Sequence, residues 1–217
     1  MEMKIVSSTG GRPAQGWPAL ALAAALGLAV VVAPHAAAAH GGITPPPMPD
    51  KLQASETDVP FFVGHATGTQ NYVCLPAGAG FAWSLFTPQA TLFGDNGRQA
   101  TTHYFSLNPE EPGIVRATWE DSRDTSTVWG RVKESSTDEN FVASGAIPWL
   151  LVEIKGRRAG PTGGQHFVPT TVIQRLNTTG GSAPPTGCAA AVDVGARAFV
   201  PYTADYFFYR HRGREES

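Results

Sequence analysis

The stretch TLFGDNGRQATTHYFS, Thr91 to Ser106, holds the clearest structural signal in the chain. Two runs of β-branched, aromatic and aliphatic residues flank Asp95-Asn96-Gly97, and Asn and Gly accept the positive φ that a tight hairpin turn demands. Along the second run Thr101, His103 and Phe105 fall on one face of an extended strand and Thr102 and Tyr104 on the other. The stretch therefore reads as an antiparallel pair.

Outward from this hairpin the same texture repeats. From Phe61 onward, segments rich in Val, Ile, Thr and aromatics are punctuated by Gly, Pro, Asn and Asp at roughly eight- to twelve-residue spacing. Strands are expected near 60–63, 69–75, 81–86, 91–93, 99–106, 114–119, 126–133, 147–154, 166–176 and 198–209. Trp149-Leu150-Leu151-Val152 is continuously apolar and predicts a strand buried on both faces. No window sustains the i, i+3, i+4 pattern of a helix. The expected fold is all-β: one antiparallel sandwich or barrel with long Gly/Pro-rich loops.

The ends define the domain organisation. Lys4 and Arg12 precede an apolar run from Ala19 to Ala33 and small residues to Ala39, the order of a secretory signal peptide, and the run is too short for a spanning helix. The expected division is a signal at 1–39, a Pro-rich extended arm at 40–60, one β-domain at 61–212 and a polar tail at 213–217. The expected location is periplasmic or extracellular. Sixteen basic and eighteen acidic residues give a formal charge of −2, which supplies no footprint for nucleic acid or anionic lipid. The two cysteines, Cys74 and Cys188, permit a single pairing, and an exported chain favours a disulfide over two free thiols.

Several segments taken together resemble a known family: GTQNYVC from Gly68, PQATLF from Pro88 with the later THY, VWGRV from Val128, AIPWLL from Ala146, IQRLNTTGG from Ile173 and VPYTADYFFY from Val200. They resemble domain-of-unknown-function family 3455, secreted proteins of bacteria and fungi, over most of residues 60–210. Some relatives carry a dehydrogenase label, but a dinucleotide site requires G-x-G-x-x-G at a strand-to-helix turn. The strings GHATG at Gly64 and GAGFAW at Gly78 lack the third glycine and any helical pattern after it. Family members often have Gly-Pro-x-Trp soon after the His of THY, whereas SLNPEEPGIVRATW separates His103 from Trp119 here.

Candidate chemistry is sparse. His103 suits a general base or a metal ligand. Asp205 lies among aromatics and would be costly to bury unpaired, and Arg175 is the expected bidentate partner. A hydrolase would use His103 with a carboxylate such as Asp205. Glu120-Asp121, near Arg123-Asp124, forms a second carboxylate pair of the kind glycoside hydrolysis uses. No cofactor is required, although cleavage after Ala39 would expose His40, whose amine and imidazole suit Cu(II), with His65, His103 or His166 completing the site. Trp119 and Trp129 adjoin polar residues and, with Arg175 and Tyr202, are candidates to bind a carbohydrate or a small apolar molecule. That ligand-binding role is the leading expectation, and the secreted hydrolase is the alternative. Asn177-Thr178-Thr179 is formally a glycosylation acceptor.

Overall fold

The Asp95-Asn96-Gly97 turn closes as its residues require. In the computed structural model, which describes residues 42–213, Gly94 N donates to Arg98 O, Asn96 Oδ1 accepts from Arg98 N, and Gly97 takes a φ of 70°. This turn joins two of eight strands: β1 (Asp58–Ala77), β2 (Gly80–Phe93), β3 (Gln99–Leu107), β4 (Val115–Asp121), β5 (Thr127–Ser136), β6 (Trp149–Arg158), β7 (Val172–Gly180) and β8 (Arg197–His211). Each pairs antiparallel with its neighbour in sequence, and β8 returns to pair with β1, closing a barrel. No α-helix occurs among the described residues.

Eight strands replace the ten expected, because Gly64, Gly68 and Pro88 lie within strands rather than at their ends. Gly64 and Gly68 lie inside β1, and a Cβ at Gly68 would sit 2.2 Å from Gln89 O, so the missing side chain lets β1 and β2 approach. Pro88 lies inside β2 at a position where β3 does not pair, which spares its absent N–H. The strand expected over 166–176 begins only at Val172, after a turn in which Thr170 N bonds Phe167 O. It then continues to Gly180 through a bulge where Asn177 adopts a φ of 50°.

Alternation sorts the side chains into two cores. Inside the barrel lie Leu92, Trp119, Val128, Ile173, Tyr206 and Phe208, with Phe167 inserted from the β6–β7 connection. Outside, Val63, Trp149, Leu151, Leu176, Phe207 and Tyr209 are covered by Leu52 and Val142. The expected two-sided burial of the Trp149–Val152 run is therefore met, with Leu150 and Val152 packed on the inner core. Leu52 is fully buried in a 3-10 turn, Asp50–Leu52, and its carbonyl accepts from Gln174 Nε2 at 2.7 Å. Each such aliphatic burial contributes about 1.5–3 kcal/mol.

The wall is uneven. β2 pairs with β3 only over Ala90–Phe93, and β4 pairs with β5 only from Ala117 to Glu120. The β3–β4 hairpin thus leaves both neighbours toward its tip, where the cross-strand pair Leu107 and Val115 is exposed. At the same end β1 and β2 run on as a long ribbon. Cys74 on that ribbon forms the disulfide with Cys188, and Trp83 Nε1 donates to Thr186 O.

Candidate functional site

The two barrel ends differ in filling. At the end carrying the β2–β3, β4–β5 and β6–β7 connections, Phe167 stacks on Phe208 at 4.6 Å and Phe62 tilts against both. At the opposite end the lumen is open, with a cavity of about 410 Å3 to which all eight strands contribute side chains. That volume lies within the roughly 300–1,000 Å3 typical of small-molecule sites.

Strand alternation puts His103 on one face with Thr101 and Phe105 as expected, that face turns inward, and the β3–β4 register sets His103 opposite Trp119. The rings stack at 4.4 Å with an 11° interplanar angle, so the long insertion between them leaves the pair intact. His103 Nδ1 lies 2.8 Å from Thr118 O, and since a carbonyl only accepts, this nitrogen carries the proton. The ring is 4% exposed, and burial, opposed by the bond to Thr118 and reinforced by Arg175, pushes its pKa down to about 3. It is a neutral imidazole at pH 7.

Arg175 also lines the cavity. Its Nε and Nη2 both donate to Pro148 O, at 3.2 and 2.8 Å, and no carboxylate pairs with it among the described residues. Gln70 and Trp119 share the cavity wall, and both Gln70 Nε2 and Trp119 Nε1 are buried without a well-formed hydrogen bond. An unmade bond of this kind costs about 1–3 kcal/mol. Tyr72 and Tyr206 complete the polar part, while Leu85, Phe105, Val115, Val132 and Leu150 supply an apolar wall. A bulge that skips Phe86 sets Leu85 opposite Tyr72. Tyr202 is enclosed behind this surface, its hydroxyl 3.3 Å from that of Tyr206, and burial raises its pKa.

The other candidates lie elsewhere. Asp205 is on the outer face of the wall, so it does not meet His103 or Arg175. Its Oδ1 lies 2.6 Å from His65 Nδ1 and its Oδ2 accepts from Asn177 Nδ2. The expected Arg175–Asp205 pair does not form, because Arg175 registers with Tyr206 and Leu176 with Asp205. His65 Nε2 also contacts Asp95, and these two carboxylates, Asp95 first, raise its pKa. Trp129 is on the outer face too, buried, with Nε1 donating to Ser106 Oγ and Arg158 over its ring.

Glu120 and Asp121 separate onto opposite faces. Glu120 accepts from Tyr104 Oη, whereas Asp121 is buried at the filled end and contacts His166 Nδ1 at 2.7 Å. Among the described residues no three of His, Cys, Asp and Glu converge in a metal-binding arrangement. His40 and the apolar run at 19–33 lie outside the described residues. Asn177 of the glycosylation triplet holds Asp205 from within the β7 bulge.

Of the residues singled out in the sequence, His103, Trp119 and Arg175 line this cavity, whereas Gln70, Tyr72 and the apolar wall were not among them. A signal existed: Gln70 follows Ala66 and Gly68 at a period of two, a polar residue on a buried face. A family model described as "Protein of unknown function (DUF3455)" matches residues 54–210. No curated protein and no solved structure matches the chain.

Proposed function

We propose, for a chain that belongs to the DUF3455 family of proteins of unknown function, that it binds a small apolar molecule inside its barrel. The observation that carries this reading is the open lumen, about 410 Å3, walled by Leu85, Phe105, Val132 and Leu150 and holding buried donors that make no well-formed hydrogen bond among the described residues. Small-molecule sites combine these two properties, an apolar concavity and a few fixed polar groups. The molecule enters between the β3–β4 hairpin and its neighbours, where the wall lacks ladder bonds. Stacked His103 and Trp119 present a rigid aromatic floor. His103 serves there as a neutral hydrogen-bonding group, because the candidate carboxylate Asp205 faces the other side of the wall. The Cys74–Cys188 disulfide supports an oxidising location, periplasmic or extracellular, for this activity.

The test is a titration with the neutral fluorophore N-phenyl-1-naphthylamine. Saturable enhancement at one site per chain is expected for the wild type and its loss for Ala117→Trp, which fills the lumen from β4. Absence of saturable binding to the wild type, or full binding to a folded Ala117→Trp variant, would remove the reading.

A further inference from the structure

The charged groups along the lumen are all of one sign. Arg116, Arg131 and Arg175 border it and no Asp or Glu among the described residues does, but Arg116 and Arg131 alternate onto the outer face opposite Ser106 and Glu153, so Arg175 is the inward one. Arg116 is held by Glu111 at 2.8 Å and Arg131 by Glu153, both from outside the lining. Arg175 alone has no carboxylate, and its two bonds to the Pro148 carbonyl leave the remaining guanidinium N–H groups unclaimed. It lines the cavity beside His103, Tyr72 and Tyr206, on the inward face of β7 with Ile173.

Beside it are donors whose hydrogen bonds are not well formed. Gln70, 2% exposed, packs near Gly181 and Tyr202, and its Nε2, which faces the Tyr202 hydroxyl, makes no well-formed hydrogen bond among the described residues. Trp119 Nε1 is likewise buried and unpartnered, and an indole N–H can only donate. Tyr72 Oη, by contrast, is already committed to Gly181 O at 2.7 Å. An enclosed cation with surplus donors is completed by an anion that accepts several hydrogen bonds. With His103 neutral, the lumen holds one uncompensated positive charge. Beyond it the wall is aliphatic and aromatic, and Leu85, Val115 and Val132 remain 39%, 53% and 50% exposed at the mouth.

The geometry points to an amphiphilic monoanion as the ligand: an aliphatic or aromatic body against Leu85, Phe105 and Val132, with a single carboxylate received by Arg175 and Gln70. This rests on the lumen being a binding site and adds the class of head group. Arg175 presents a planar fork of N–H donors, the geometry that matches a carboxylate.

The test compares decanoate with 1-decanol, equal in chain length, as competitors of bound N-phenyl-1-naphthylamine. Decanoate is expected to bind at least tenfold more tightly than decanol. In Arg175→Met that advantage vanishes while decanol is unchanged, and Gln70→Leu weakens decanoate severalfold. Equal affinities for the two competitors in the wild type overturn the head-group assignment and leave the apolar site standing. Failure of the fluorophore itself to bind removes both. The wild-type comparison decides the matter even where Arg175→Met does not fold, and a folded Arg175→Met that keeps the preference for decanoate also overturns it.

Discussion

One end of this barrel is held by packing and the other by a covalent bond. At the filled end Phe62, Phe167 and Phe208 meet ring to ring, and the Asp121, Asp124 and Ser126 turn is stapled to His166 and Phe167 by side-chain bonds. At the open end the side chains leave a cavity of about 410 Å3, strand pairing lapses on both flanks of the β3–β4 hairpin, and the long β1–β2 ribbon is fastened by Cys74–Cys188. An eight-stranded barrel has an interior just wide enough for side chains to fill. Leaving part of it unfilled forgoes core stabilisation there, and a crosslink spanning 114 residues supplies stability by another route.

The sharpest way to break this comparison is to empty the filled end. Phe167→Ala removes a fully buried ring and is expected to cost about 3–5 kcal/mol by urea unfolding. Val132→Ala at the open mouth should change stability by less than about 0.5 kcal/mol. Similar costs at both sites would mean that the two ends are equally packed.

Next in size is the crosslink. Cys74→Ser with Cys188→Ser should lower stability by about 2–4 kcal/mol. Hydrogen exchange should then accelerate first in the β1–β2 ribbon around Val73–Trp83, with the amides around Phe208 changing last. Uniform acceleration would contradict a crosslink acting on the open end.

The smallest effect is electrostatic and tests the floor of the lumen. Folded His103 stays neutral down to about pH 3, whereas in the unfolded chain it binds a proton near pH 6.5. Below pH 6.5 the unfolded state therefore holds more protons, and stability falls as pH falls. Up to roughly 2–3 kcal/mol should be lost between pH 6.5 and 4.5, and His103→Leu should flatten that slope. Outer-face His65 has the opposite sign: its raised pKa gives a contribution complete below pH 6.5 and lost as pH rises through the folded value. The carboxylates Asp121 and Glu111, with lowered pKa values, lose their contributions only at more acidic pH.

What the sequence made legible was what depends on nearest neighbours. The Asp95-Asn96-Gly97 turn, the shared face of Thr101, His103 and Phe105 and the two-sided burial of Trp149–Val152 each follow from local pattern. Partnership across strands did not, since it depends on register, and a one-residue slip exchanges the faces of a strand. Arg175 and Asp205 seemed suited to each other by charge, yet they register one position apart and so face opposite sides of the wall. The stack of His103 on Trp119 was obscured by the fourteen-residue SLNPEEPGIVRATW segment, which folds into the β3–β4 hairpin. Gly64, Gly68 and Pro88 lie within strands because the usual strand-breaking effect of glycine and proline yields where a backbone approaches closely or a neighbour's ladder has lapsed.

The disulfide also bears on the order in which the barrel assembles. Closure pairs β1 with β8, the first strand with the last, so the chain must complete its longest loop before the final ladder forms. Contacts so remote in sequence are slow to find. Cys74 sits beside residues 195 and 196, with Cys74 N donating to Ala196 O and Gly195 N to Cys74 O, and the ladder begins one step on, at Val73 and Arg197. Once the sulfurs join, the closing strand is tethered in register with its partner. The remaining search then shrinks from the whole chain to a zipper that starts at the crosslink and runs toward Asp58 and His211.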